Sequence, residues 1–103
     1  MLIYIYVDDL REPGKEILEK GYPMTICRTA AMALTHLAIA NDQHNEIILD
    51  LDHDLGKGMS GYDICKYVVA HHIPLKGFKI HSMNPVGAFN MRQLLTHYGY
   101  QEI

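Results

Sequence analysis

Four short apolar runs alternate along the chain with helix-forming stretches, and the connections between them are brief. Leu2 to Val7, rich in β-branched and aromatic residues, reads as a central strand ending on Asp8 and Asp9. Arg11 to Gly14 make a turn, Pro13 is placed to open a helix through Lys20, and Gly21 with Pro23 stops it. Met24 to Arg28 reads as a second short strand. Thr29 then offers an N-cap to Ala30 through Ala40, whose Ala, Met and Leu content favours helix. The third run, Ile47 to Leu51, is apolar on both faces except at Asp50, as expected of a parallel strand covered by helices on both sides. Ser60 and Asp63 match a capping box for a helix to about His72, which Pro74 and Gly77 break. Phe78 to His81 is the fourth strand. Asn84 as cap and Pro85 at the first helical position start a helix from about Val86 to His97, and Tyr100 to Ile103 can add one short edge strand. This alternation indicates an α/β three-layer sandwich with right-handed crossovers, in a single domain over residues 1–103.

In a parallel sheet all strand carboxyl ends lie on one edge, where open α/β folds bind their ligands. Asp8, Asp9, Asp52, His53, Asp54, His81 and Ser82 thereby become neighbours. Clustered carboxylates repel, and a bound hard cation, a raised pKa or a basic partner relieves them. Asp8, Asp9, Asp52 and Asp54 are therefore candidate ligands of a divalent metal, Mg or Mn, with Asp9 and Asp52 foremost. Arg11, Lys57, Ser82, Asn84 and the amides after Pro85 are candidates for holding an anion beside it. His53 and His81, with ordinary pKa values near ~6.5, are candidate proton carriers. Metal, anion site and proton carriers together point to phosphoryl chemistry.

Composition narrows the partners. A chain of 103 residues that is 49% hydrophobic can build one core without staples. A net charge of -3 and a pI near 6.1 leave no basic face for duplex DNA, while a single nucleotide or an RNA end stays open. Cys27 and Cys65 lie in apolar surroundings without CxxC spacing, the pattern of reduced core thiols in a cytoplasmic protein. Leu2 to Val7 is too short for a signal segment, and no apolar run has the length to cross a membrane. Nothing in the composition indicates an oligomeric state.

Other features have plainer readings. Asp50 lies inside an apolar run and reads as a structural cap or pair, and Tyr4 and Tyr6 alternate along a strand as residues facing helices. His36, His44, His71, His72 and His97 fall on helix faces or loops and read as surface residues. Gly56 to Gly61 fits GxGxxG, but aspartates before it would oppose a pyrophosphate and no acidic residue follows at the ribose-binding distance. Asp50, Asp52 and Asp54 have calcium-loop spacing, yet Leu55 stands where that loop needs glycine and Gly61 where it needs glutamate.

The acidic pair after the first strand, Asp52 after the third and the Ser82 hydroxyl after the fourth resemble the receiver domain of response regulators. More specifically, Val7-Asp8-Asp9-Leu10-Arg11, Leu51-Asp52-His53-Asp54-Leu55-Gly56, Ser60-Gly61-Tyr62-Asp63 and His81-Ser82-Met83-Asn84-Pro85-Val86-Gly87 resemble the cyclic-phosphate-processing receiver-like family. The resemblance covers nearly the whole chain. It implies a receiver (flavodoxin-like) parallel sheet of order 2-1-3-4 and action on cyclic phosphates, such as a cyclic nucleotide or the 2′,3′-cyclic phosphate end left by RNA cleavage. A phosphoacceptor receiver would carry a lysine after a fifth strand, whereas the last lysine here is Lys79. Nor does a phosphoaspartate switch need His53, Asp54 and His81. Two readings follow: metal-assisted hydrolysis of a cyclic phosphate, and a non-catalytic module that binds or sequesters a phosphorylated or cyclic nucleotide. The proton carriers favour the first.

Overall fold

A computed structural model describes residues 1–103. In chain order the elements are β1 (Leu2–Val7), α1 (Lys15–Glu19), β2 (Met24–Cys27), α2 (Ala30–Asp42), β3 (Glu46–Leu51), α3 (Gly61–Ala70), β4 (Gly77–Ile80) and α4 (Pro85–His97). The strands form one sheet in the order β2-β1-β3-β4, every neighbour parallel, which is the receiver-like arrangement expected from the sequence.

Side-chain alternation divides the sheet into two unequal faces. Ile3, Ile5 and Val7 of β1 and Ile47, Leu49 and Leu51 of β3 point toward α2, α3 and α4, where they meet Leu37, Ile64, Val68, Met91 and Leu95. Each such aliphatic side chain contributes about 1.5–3 kcal/mol by leaving water, so this face holds most of the core energy. On the other face Tyr4, Tyr6 and Ile48 pack against Ile17 of α1 and against Tyr22, Met24 and Ile26. That cluster is small, and it lies beside polar groups.

The three longer helices start where the sequence places their caps. Thr29 Oγ1 accepts from the Met32 amide at 3.1 Å, Asp63 Oδ2 accepts from the Ser60 amide at 2.7 Å, and Asn84 Oδ1 accepts from the Gly87 amide at 2.9 Å. The first helix departs from expectation. Gly14 is its N-cap, and Pro13 lies buried ahead of it rather than at its first position. The cause is tertiary: the Arg28 guanidinium takes the carbonyls of Asp8 and Arg11, and the Tyr6 hydroxyl takes that of Glu12. Those long-range bonds hold the segment after β1 as a loop anchored over the strand ends. The expected edge strand over Tyr100 to Ile103 is reduced to one parallel bridge between Phe78 and Glu102. Cys27 and Cys65 are free and buried, and burial pushes their thiols up to about 11 and about 12. No helix is long and apolar enough to cross a membrane.

Candidate active site

Strand register decides which side chains meet at the carboxyl edge. Val7 of β1, Leu51 of β3 and Ile80 of β4 are aligned across the sheet. The next residue on each strand is Asp8, Asp52 and His81, and the backbone ladder continues that far: Asp52 N donates to Val7 O and His81 N to Leu51 O, both at 3.0 Å. Alternation turns these three side chains to the α1 face. One ligand atom from each lies within 4.8 Å of the others.

The oxygens of Asp8 and Asp52 are divided between anchoring and presentation. Asp8 Oδ1 accepts from the amides of Leu10 at 2.9 Å and Arg11 at 2.7 Å, while Asp52 Oδ1 accepts from the His53 amide at 2.8 Å. Their Oδ2 atoms face Arg11, with Nε 3.3 Å from Asp8 and Nη2 3.7 Å from Asp52. Burial pushes the Asp8 carboxyl up, but the Arg11 and Leu10 amides and the His81 ring outweigh it and hold it below the ordinary 3.8. It is therefore ionised at neutral pH.

His81 lies between two carboxylates, with Nε2 3.1 Å from Asp8 Oδ2 and Nδ1 2.6 Å from Asp50 Oδ1. With a carboxylate oxygen at each ring nitrogen, the surroundings favour the doubly protonated, charged ring. It lies flat on Tyr6, centroids 4.6 Å apart and planes 4° from parallel, which adds a cation–π attraction. Burial alone would lower its pKa, but Asp50 and then Asp8 raise it above the ordinary 6.5. The Tyr6 hydroxyl is pushed up to about 12 by burial and by the Asp8 and Asp50 charges. Asp50, which the sequence reading set aside as structural, thus belongs to the site. It is 2% exposed, and its other oxygen accepts the Tyr4 hydroxyl. Counting back by two from Asp52 would have placed it on the same face.

The remaining candidates are spread around this group. An open cleft of about 520 Å³ takes in Asp8, Asp52 and Arg11, and Asp9 and Asp54 line it outside the close group. Its walls carry Leu10 and Met83, which are 83% and 81% exposed. His53 leans the other way. A Cβ on Gly87, in the first turn of α4, would fall 2.4 Å from its ring, and its Nδ1 is 3.1 Å from Asp54 Oδ1. The two histidines therefore share no hydrogen-bonded group. Lys57 is exposed on the loop before α3. Ser82 Oγ accepts from the Asn84 amide at 3.0 Å, so Ser82 and Asn84 both spend an oxygen on shaping the α4 N-terminus. The Ser82 O–H and the Asn84 side-chain amide remain as donors. A larger hollow of about 640 Å³ near the end of α4 holds Arg92 and Glu102, which pair with each other at 2.6 and 2.7 Å.

Two presented carboxylate oxygens with an imidazole nitrogen close by form a donor set that suits a divalent cation such as Mn²⁺ or, with added waters, Mg²⁺. The Arg11 guanidinium stands beside those two carboxylate oxygens and would yield to such an ion, which Asp8 and Asp52 would hold while His81 keeps its proton. No curated protein and no solved structure matches the chain significantly. The family model described as the cyclic-phosphate processing receiver domain matches residues 3–97, a span that includes every residue of the acidic group. The chain belongs to the cyclic-phosphate processing receiver domain family.

Proposed function

We propose that the chain hydrolyses a cyclic phosphodiester, opening a cyclic nucleotide or the 2′,3′-cyclic phosphate end of an RNA with the help of Mg²⁺ or Mn²⁺. The observation that carries the proposal is the side-by-side emergence of Asp8, Asp52 and His81 from three adjacent strands, with one oxygen of each carboxylate turned to a cleft and Arg11 spanning both. A cation held by Asp8 and Asp52 supplies the positive charge that polarises the phosphoryl oxygens. Arg11, displaced from the carboxylates, turns to the phosphate, and the Ser82 O–H and the Val86 amide, which Asn84 leaves unbonded, bind its remaining oxygen. Water attacks phosphorus, one phosphorus–oxygen bond to the sugar breaks, and the departing sugar oxygen takes a proton. His81, whose Nε2 lies 3.1 Å from Oδ2 of the cleft residue Asp8, is the donor. His53, whose ring rests against Gly87 with Nδ1 3.1 Å from Asp54 Oδ1, turns from that contact toward the cleft to accept the proton of the attacking water. Leu10 and Met83 offer apolar walls to a sugar or base, which inorganic phosphate would not need.

One observation favours the second reading, a module that binds or sequesters a phosphorylated or cyclic nucleotide: both nitrogens of His81 are already engaged by carboxylates. A panel of 2′,3′- and 3′,5′-cyclic nucleotides, incubated with and without Mg²⁺ or Mn²⁺ and analysed for the ring-opened monoester, separates the two. Metal-dependent ring opening supports hydrolysis. Tight binding of a cyclic nucleotide without cleavage of any panel member replaces it with the binding module.

A further inference from the structure

A carboxylate in the middle of a sheet needs a reason. Asp50 is one step below the carboxyl edge, aligned with Tyr6 on β1 and Lys79 on β4, and is 2% exposed. Removing a carboxylate from water costs several kcal/mol before its partners are counted. An aliphatic residue would extend the apolar patch that Ile48 begins on the same face of β3, so the fold alone does not ask for a charge here. Both Asp50 oxygens are used. The Tyr4 hydroxyl donates to Oδ2, and His81 Nδ1–H donates to Oδ1 at 2.6 Å. Tyr4 is 1% exposed and its ring stacks on Tyr22 at 5.6 Å, so the donor behind Asp50 is itself held. The series Tyr4, Asp50, His81 ends at His81 Nε2, which meets Asp8 in the wall of the cleft.

We propose that Asp50, backed by Tyr4, is a positioning residue that fixes the His81 ring with Nδ1 turned into the sheet and Nε2 turned to the cleft. The role rests on the proposed hydrolysis, in which His81 Nε2 delivers a proton. Asp50 does not touch the cleft. It keeps hydrogen on Nδ1 and prevents the ring from flipping about its Cβ–Cγ bond, while the flat contact with Tyr6 limits its tilt.

The test uses the full chain and the variants Asp50→Asn and Tyr4→Phe, with 2′,3′-cyclic AMP and Mn²⁺ as probes. Partners placed behind a functional histidine typically matter 10- to 100-fold, so Asp50→Asn should lower kcat by about that factor and leave KM within about twofold. Tyr4→Phe should lower kcat by a smaller factor. In the substrate-free protein, ¹⁵N NMR of the His81 ring should show fixed hydrogen on Nδ1 in the wild type and altered ring-nitrogen shifts in both variants. Wild-type kcat together with unchanged His81 shifts, in a folded Asp50→Asn, overturns the proposal. Where Asp50→Asn does not fold, unchanged His81 shifts in Tyr4→Phe do the same. A wild type that opens no cyclic phosphate refutes the hydrolysis and not the positioning, because the ring-nitrogen shifts decide the latter without substrate.

Discussion

Gly61→Ala should be among the most damaging single-methyl additions to the chain, and it should act on the site from outside it. Gly61 opens α3, and its amide donates to the His53 carbonyl at 2.9 Å, so the helix start lies directly over the end of β3. A Cβ there would come within 2.1 Å of the Asp52 carbonyl oxygen and 2.9 Å of the Met91 sulfur. The Met91 side chain can shift, but the Asp52 carbonyl is backbone and would have to move from 2.1 Å to the 3.4 Å at which ordinary contact begins. Overpacking of this kind costs about 1–3 kcal/mol, against which the better helix propensity of alanine recovers at most ~1 kcal/mol. A net loss of about 1 kcal/mol corresponds to a melting temperature lower by roughly 4–8 °C in a domain of this size. Thermal unfolding followed by circular dichroism measures it. Gly14→Ala is the control, since Gly14 has an ordinary φ of -65° and nothing within 4 Å of the added atom; it should melt close to wild type. The variant should also bind Mn²⁺ more weakly, because moving the Asp52 backbone carries its carboxylate away from Asp8. A Gly61→Ala protein that melts with wild type and binds Mn²⁺ equally well would refute the close approach on which this reasoning stands.

Asp52→Asn should weaken Mg²⁺ or Mn²⁺ binding, measured by calorimetric titration; equal binding by variant and wild type would remove Asp52 from the ligand set. His53→Ala and His81→Ala should each lower turnover of a cyclic phosphate by ~10²- to 10⁴-fold while leaving nucleotide binding largely intact, as steady-state kinetics beside equilibrium binding would show. Stability should fall on both sides of a plateau in denaturant titrations run across pH. His81 is raised above 6.5, so its contribution is complete below that pH and is lost as pH rises through its folded value. Asp8 is held below 3.8, so its contribution is complete above that pH and is lost as pH falls through its folded value. His81→Gln should flatten the alkaline side and lessen the acid side, because the His81 ring is one of the groups that hold Asp8 down.

Much of the architecture was legible because the strands carry their own signal. The apolar runs at Leu2 to Val7 and Ile47 to Leu51 mark β1 and β3, and the caps at Thr29, Ser60 with Asp63, and Asn84 with Pro85 mark the longer helices. The first helix was misjudged at its start because local turn chemistry at Pro13 cannot reveal that Arg28, seventeen residues beyond Arg11, takes the Arg11 carbonyl. In the site, the acidic residues at the ends of β1 and β3 were evident from position alone. Asp50 was not: the two-residue step from Asp52 gives its face, but nothing near it in sequence gives its partners. Its partners Tyr4 and His81 lie 46 and 31 residues away, and only the parallel register brings them together. His53 is the converse case. It adjoins Asp52 in sequence, and its ring packs on the first turn of α4 at Gly87 instead of joining the acidic group.

Charge orders the assembly of the proposed reaction. Asp8, Asp50 and Asp52 are buried together, and the cations that touch them are Arg11 and His81, so the inner group carries one net negative charge. Asp9 and Asp54 add two more at the cleft. A cyclic phosphodiester is itself an anion, and a site of that sign repels it across a distance short compared with the Debye length of ~8 Å in physiological salt. A divalent cation at Asp8 and Asp52 makes the inner group positive and releases Arg11 from carboxylates to phosphate. Substrate affinity should therefore depend on prior metal binding, and Arg11→Gln should tighten Mn²⁺ binding while weakening nucleotide binding, a pair of opposite shifts that a purely structural arginine would not produce. Titration of Mn²⁺ alone, then of nucleotide at saturating Mn²⁺, reads both. If Arg11→Gln moves the two affinities in the same direction, the arginine is not the counter-ion that metal replaces.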